Sequence, residues 1–229
     1  MSLGWHQSRW KLNAEALTLD SDCLQKLPAS NSTAAPKTLA EWQAMMPGTD
    51  VHLGKLIVAP WQTYAGALDL TLEKDRQQLN YHGDNLQLAA TLTGQQLAIR
   101  DLTLTHPALP EPVTLSGHLT LPTFATDLPV NGEVAGQLAL DALPHPLQLT
   151  LNWQQQQGEL RVAMAEESRP LLRLPWQISR EQIRIEKGEY FWPLADQPLS
   201  GFVNLTLDNW QSGLEGSQIT GRVNLLTQG

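Results

Sequence analysis

The stretch of residues 147–164 reads LQLTLNWQQQQGELRVAM and decides the fold. Apolar residues occupy every second position on both sides of the four glutamines, and polar residues fill most of the positions between them. This alternation is typical of β-strands that have one dry face and one solvated face. The polar run at 154–158 separates the two strands by a short turn, so the stretch predicts an antiparallel hairpin.

The same alternation recurs along most of the chain. It is clear in residues 68–72, 86–92, 113–121, 130–140, 172–178, 203–207 and 219–225. The intervening segments are short and rich in turn residues, so we expect a long antiparallel meander of strands. Glu186-Lys187-Gly188 is one of the predicted turns, and Pro175 within a strand pattern predicts an edge or a bulge. The sequence therefore predicts a mainly β protein.

One stretch has helical spacing instead. Thr38 and Glu41 have the spacing of a capping box, and a Pro-Gly pair follows at 47–48. Apolar residues recur on one helical face at Leu39, Trp42 and Met46. These features predict a short helix over 39–46. The Ser-, Thr-, Ala- and Pro-rich residues 29–36 before it predict a mobile loop.

Composition excludes several classes of function. The 229 residues carry a net charge of −8 and show no cluster of Lys and Arg, so nucleic acid is not an expected partner. One cysteine allows neither an internal disulfide nor a thiolate zinc site, and the six histidines are scattered. No catalytic or phosphate-binding motif occurs. We therefore expect no enzyme activity, no cofactor and no metal.

The strands leave three arrangements open. Hardly any helix is available to cover their apolar faces, so those faces must bury one another. A closed barrel, a two-sheet sandwich and a sheet curled into a trough all satisfy that requirement, and periodicity alone does not choose among them. The wall of a trough would be uncharged and suited to acyl chains. No apolar run approaches the length of about 18 residues that a membrane-spanning helix needs, so we expect a soluble piece.

Three segments carry a resemblance to a known family. They are PKTLAEWQAMMP at 36–47, LRLPWQISR at 172–180 and PLSGFVNLTLDNWQSGLE at 198–215. Together they resemble AsmA-like proteins of enteric bacteria, and the resemblance extends over essentially the whole chain. It implies that residues 1–229 form a single periplasmic segment of a longer protein, with a β-taco-like, elongated hydrophobic groove.

The resemblance also implies a function. Such proteins are anchored in the inner membrane by an N-terminal helix and conduct phospholipids between the inner and outer membranes. They pair with a small outer-membrane lipoprotein through a C-terminal part. We expect the anchor and that part to lie outside this sequence. No catalytic motif is carried over from the family.

The predicted groove wall consists of alternating apolar residues from most of these strands. The candidates for contact with phospholipid acyl chains are Leu68, Leu70, Leu72, Leu88, Leu115, Leu119, Leu138, Leu140, Leu149, Leu151, Leu160, Val162, Val203, Leu205, Leu207 and Val223.

A different class of function stays open beside this one. A periplasmic β-sandwich could act as an interaction or carbohydrate-binding module, because eight tryptophans are many for a chain with three tyrosines and three phenylalanines. Its candidate contacts are Trp61, Trp192 and Trp210.

Overall fold

The computed structural model describes most of the chain. The described residues are 2–6, 8–20, 35–59, 62–124, 130–141, 143, 145–165, 169–179, 181–193, 199–209 and 218–227. Strands account for most of them, which confirms the predicted mainly β fold. The expected loop at 29–36 lies outside this set except for Ala35 and Pro36. The chain divides into two compact units, Met1–Pro129 and Val130–Gly229.

The described part of the first unit contains nine strands in one sheet. In sheet order β1, β2, β4, β5, β6, β7, β8 and β9 follow one another, and β3 also pairs with β4. The strands are β1 (Ser2–His6), β2 (Arg9–Ala14), β3 (Leu17–Asp20), β4 (Thr49–Ala59), β5 (Gly66–Leu72), β6 (Arg76–Gly83), β7 (Leu86–Thr93), β8 (Gln96–Leu104) and β9 (Val113–Thr120).

The described part of the second unit contains seven strands, and each pairs with the next along the chain. They are β10 (Asn131–Leu138), β11 (Leu147–Gln154), β12 (Gln157–Met164), β13 (Leu172–Ile178), β14 (Gln182–Trp192), β15 (Leu199–Asp208) and β16 (Gln218–Thr227). In the described part of either unit the first and last strands do not pair with each other, so neither set of strands closes into a barrel.

Pairing is antiparallel from β4 to β9 and from β10 to β16, as the meander predicts. Alternation does not predict the exception at the beginning of the chain. There β2 and β3 both run parallel to β4, with Trp10–Ala14 beside Thr49–Leu53 and Leu17–Asp20 beside Leu56–Ala59. The sheet of the first unit is therefore mixed.

Register places apolar residues opposite apolar residues in every strand of the first unit. On one face of the sheet, a row of cross-strand partners runs Leu53, Leu68, Tyr81, Leu88, Leu102 and Leu115. A row on the other face runs Asn13, His52, Asp69, Asn80, Ala89 and Asp101. We call the first of these the apolar face of the first unit.

The second unit separates its two faces in the same way. A row of partners on its apolar face runs Gly136, Leu149, Val162, Leu172, Tyr190 and Gly201. The neighbouring row on the polar face runs Gln137, Gln148 and Ala163. At one end of this apolar face, Leu143, Leu147, Met164 and Leu171 form a buried cluster.

Three strands contain a bulge that shifts the register. At each bulge the strand advances three residues while its neighbour advances two. The residues on either side of the bulge are apolar or glycine. The bulges lie between Leu53 and Leu56 in β4, between Ile99 and Leu102 in β8, and between Ile185 and Gly188 in β14. Spacing these pairs by three residues keeps both members on the apolar face.

The β14 bulge corrects one prediction and confirms another. Glu186-Lys187-Gly188 is not a turn, because these residues lie inside β14. Lys187 has a φ of 56°, which explains the turn-like composition. Pro175 lies where the pairing of β13 with β14 is irregular, as predicted for a residue that cannot donate to the ladder.

The α-helix in the described part of the chain is α1 (Leu39–Met45), which confirms the predicted helix. Thr38 and Glu41 form the capping box, each side chain bonding the backbone N–H of the other. The buried side chain of Gln43 attaches α1 to the sheet. Its Nε2 donates to Gln77 Oε1 at 3.1 Å and to the Gly94 carbonyl at 2.8 Å.

Gly158 in β12 makes room for the Trp176 indole, for Trp153 Cβ and for the Asn152 carbonyl oxygen, which would lie 2.3 Å from a Cβ built there. A Cβ built there would lie 2.5 Å from Trp176 Cζ2 and 2.6 Å from Trp153 Cβ. We therefore expect Gly158→Ala to lower the free energy of unfolding by about 1–3 kcal/mol through overpacking. Gly4→Ala is the control, because nothing lies within 4 Å of its Cβ position. Chemical denaturation measures both, and equal stabilities of the two variants would contradict this packing.

Gln43→Ala tests how α1 is held. The change removes two part-buried hydrogen bonds, to Gln77 Oε1 and to the Gly94 carbonyl, and a typical bond of this kind contributes about 0.5–1.5 kcal/mol. We expect amide hydrogen exchange within α1 to become faster while exchange in the strands stays unchanged. Ala44→Ser, at the exposed neighbouring position, is the control. Unchanged exchange of α1 in Gln43→Ala would show that other contacts hold the helix.

Candidate functional site

An open cleft lies on the apolar face of the first unit and has a volume of about 490 Å³. Its wall comes from β4, β5, β6, β7 and the 3₁₀-helix Gln62–Tyr64. The lining residues are Leu56, Val58, Tyr64, Leu68, Leu79, Tyr81, Leu86 and Leu88. None of these side chains carries a charge at neutral pH, so the cleft suits an apolar ligand.

Hydrogen bonds hold the 3₁₀-helix against the ends of two strands. The Tyr81 hydroxyl donates to the Tyr64 carbonyl, and Asn85 Nδ2 donates to the Thr63 carbonyl at 2.9 Å. Burial raises the pKa of Tyr81, so its phenol stays neutral. The Tyr81 hydroxyl in the wall is therefore uncharged and already bonded within the protein.

Close backbone approach brings β5 and β6 together beside the cleft. Gly66 and Gly83 are cross-strand partners, and a Cβ at Gly66 would lie 2.5 Å from the His82 carbonyl oxygen. The next pair of partners on the same face is Leu68 and Tyr81, both in the cleft wall. Because glycine has no Cβ at this position, the two strands can stay paired as far as their ends.

The described residues leave the apolar faces of the two units partly exposed. None of the large side chains in the described part of the chain is fully buried. On the described apolar face of the first unit Leu53, Tyr81 and Ala90 are buried, and most of the other residues are half-buried. A filled sandwich core would bury most of these side chains, because protein cores are close-packed. Each described unit instead presents a half-exposed apolar face.

The predicted lining residues of the first unit share one face. Leu68 and Leu88 lie in the cleft wall. The cross-strand register places the others on the same face, and these are Leu70, Leu72, Leu115 and Leu119.

Most predicted lining residues of the second unit also share one face. Register gives this placement to Leu138, Leu149, Leu151, Leu160, Val162, Val203, Leu205 and Leu207. Leu140 lies beyond the end of β10 and packs against the buried cluster of Leu143 and Leu147. Val223 pairs with Val203 through the backbone, and its side chain is outside the described set.

Sequence reasoning missed six residues of the cleft wall. Leu56 and Val58 follow the bulge in β4, which breaks the period-two signal. Tyr64 lies in a 3₁₀-helix, which alternation does not detect. The strand β6 mixes Gln and Asn with its apolar residues, so Leu79 and Tyr81 gave a weak pattern. Leu86 belongs to the alternating run 86–92 but is not among the predicted lining residues.

Two clefts in the described part of the second unit have mostly polar lining residues. The larger, of about 600 Å³, is lined mainly by Asn, Gln and charged residues at the ends of β11 to β14, and includes positions Trp153 and Trp176. A second, of about 460 Å³, is rich in glutamine. Neither contains the tryptophans predicted for a carbohydrate module: Trp192 is 37% exposed elsewhere, and Trp61 and Trp210 lie outside the described residues.

The described residues contain no group of three or more His, Cys, Asp or Glu side chains that could hold a metal ion. None of the described helices has the length and apolar character needed to cross a membrane.

Comparison with known proteins identifies the family. A family model described as "YdbH-like: Intermembrane phospholipid transport protein YdbH" matches residues 1–229. The chain is 44% identical over 225 residues to the "Probable phospholipid transport protein YdbH" of Escherichia coli (strain K12), covering 98% of this chain and 26% of that relative. No solved structure matches the chain. The match over the whole chain confirms the predicted resemblance, and the chain belongs to the YdbH-like family.

Proposed function

We propose that this chain is a segment of a phospholipid conduit in which acyl chains lie against the apolar faces of the two units and head groups stay in water. The observation that carries the proposal is the uncharged cleft of about 490 Å³ on a half-exposed apolar face. Its volume lies within the ~300–1,000 Å³ typical of ligand sites. The name of the family, which refers to intermembrane phospholipid transport, points to the same ligand.

The physical basis is transfer between apolar surroundings. Keeping a methylene out of water is worth about 0.8 kcal/mol, so an acyl chain leaving a bilayer needs an apolar surface at every step. Rows of Leu, Val and Ile side chains supply that surface. Movement along such a face exchanges one apolar contact for another, so this segment needs no energy-using residue and, we infer, no catalytic one.

The wider architecture is part of the same proposal. The chain spans 26% of the length of the Escherichia coli relative, so most of that relative lies outside the match. We place residues 1–229 as one periplasmic groove segment of a bridge between the inner and outer membranes. The remaining protein would supply the inner-membrane anchor and the contact with a small outer-membrane lipoprotein. The word intermembrane in the family description supports this location.

The sandwich alternative has less support. It needs a filled core and a cluster of exposed tryptophans, whereas the described units have half-exposed apolar faces and one of its three tryptophans is described. The conduit accounts for the apolar faces directly.

Leu88→Arg tests the proposal inside the cleft. We expect at least about a tenfold loss of affinity for a fluorescent phospholipid, because an unpaired charge in an apolar site costs more than the 1.4 kcal/mol that a factor of ten represents. Gln87→Arg is the matched control, because Gln87 is the exposed neighbour on the polar face of the same strand. Its affinity should stay within about twofold of the unmodified chain.

The comparison requires that both variants keep their strand content by circular dichroism. Equal lipid binding by Leu88→Arg and Gln87→Arg would contradict a lipid site on this face. So would the absence of lipid binding by the unmodified chain.

A further inference from the structure

One end of the first unit is formed by α1 and by the loops that join neighbouring strands. Gln43 bonds Gln77 at the start of β6 and Gly94 between β7 and β8. The Leu39 N–H donates to the Thr123 carbonyl, just after β9, at 2.8 Å. The helix therefore lies across this end of the sheet and places Phe124 beside its first turn.

The β1–β2 hairpin ends at the same place. The Trp10 N–H donates to the Gly48 carbonyl at 2.8 Å. Gly48 is three residues from Met45, the last residue of α1, so their Cα atoms lie within about 11 Å. Arg9 fixes the hairpin further through Nη2 to Asp50 Oδ1 at 2.7 Å and Nη1 to Glu73 Oε1 at 2.8 Å.

Five large apolar side chains at this end are exposed. The exposed fractions are 58% for Trp5, 39% for Trp10, 54% for Trp42, 59% for Met45 and 36% for Phe124. We call this set the aromatic end. Trp5 and Trp10 contact each other edge to face, with ring centroids 5.1 Å apart. Trp42 and Met45 lie three residues apart on one side of α1, so they share a face of the helix.

The charge around the aromatic end differs from that of the chain. Arg9, Lys37, Lys74 and Arg76 balance Glu41, Asp50, Glu73 and Asp75 here, whereas the chain carries a net charge of −8. Arg9 holds Asp50 and Glu73, and it keeps the pKa of Asp50 below its ordinary value. The Glu41 carboxylate accepts from the Thr38 backbone N–H in the helix cap.

Three exposed cations therefore remain beside two carboxylates that Arg9 does not hold, Glu41 and Asp75. The cations are Lys37, Lys74 and Arg76. The Lys37 ammonium lies 5.5 Å from the Trp42 ring centroid and 3.0 Å from Met45 Sδ. An ammonium held beside an exposed indole is the arrangement expected at a bilayer surface, where lysine reaches lipid phosphates and tryptophan lies at the headgroup level.

We propose that the aromatic end docks on the surface of a phospholipid bilayer. Tryptophan has an apolar body and a polar N–H, which favours the boundary between acyl chains and water. Met45 and Phe124 add apolar area, and the three cations complement the phosphates. This contact goes beyond the conduit and does not require lipid in the cleft, so either can fail alone.

Vesicle sedimentation tests the docking surface. The unmodified chain should bind vesicles of mixed phosphatidylethanolamine and phosphatidylglycerol, and the combined change Trp5→Ser, Trp10→Ser, Trp42→Ser should weaken binding at least about tenfold. Trp192→Ser and Phe202→Ser are the controls, because both residues are exposed but lie in the second unit. Binding by the controls should stay within about twofold.

A charge variant provides a second test if the triple tryptophan variant does not fold. Lys37→Glu, Lys74→Glu, Arg76→Glu changes only exposed side chains and should also weaken binding, with a greater loss at low salt than at high salt. Leu88→Arg should bind vesicles as the unmodified chain does, which separates docking from the cleft.

Three results would overturn the proposal. The first is failure of the unmodified chain to bind vesicles. The second is equal vesicle binding by the tryptophan variant and the controls. The third is self-association of the unmodified chain that the tryptophan variant loses while its vesicle binding is unchanged. The last result would assign the aromatic end to contact between copies of the chain.

Discussion

The separation of two faces in every strand is the constraint on which the rest of the structure depends. A β-strand repeats every two residues, so a slip of one residue in pairing would move a whole row of leucines onto the polar face. Cross-strand partners such as Leu68 with Tyr81 and Leu149 with Val162 show that each pairing places apolar residues together. The apolar cleft and the aromatic end both inherit this register.

Bulges preserve that register where a strand would otherwise lose it. In β4, the extra residue between Leu53 and Leu56 returns the strand to the apolar face, so Leu56 and Val58 can line the cleft. The same strand pairs in parallel with β2 and β3, which continues the apolar face to Trp10 and Trp5. One strand thus links the candidate lipid site to the proposed membrane contact.

Sequence predicted the features that local chemistry determines. Regular strands such as β11 and β12 were clear from alternation, and the capping box at Thr38 and Glu41 marked α1. Alternation missed β4, β8 and β14, because each carries a bulge. Parallel pairing at the beginning of the chain, and the docking of α1 through Gln43, depend on contacts between distant residues that no local pattern contains. In the cleft wall, alternation predicted Leu68 and Leu88. It did not predict Tyr64, because this residue lies in a 3₁₀-helix.

In a conduit of this kind, phospholipid contacts residues on the apolar face of each strand and not residues on the polar face. The most direct test places a photo-crosslinking amino acid in turn at Leu149, Thr150, Leu151 and Asn152, four successive positions of β11, within the whole protein in living cells. The account predicts phospholipid adducts at Leu149 and Leu151 and none at Thr150 and Asn152. Adducts at all four positions, at the polar pair or at none would contradict it.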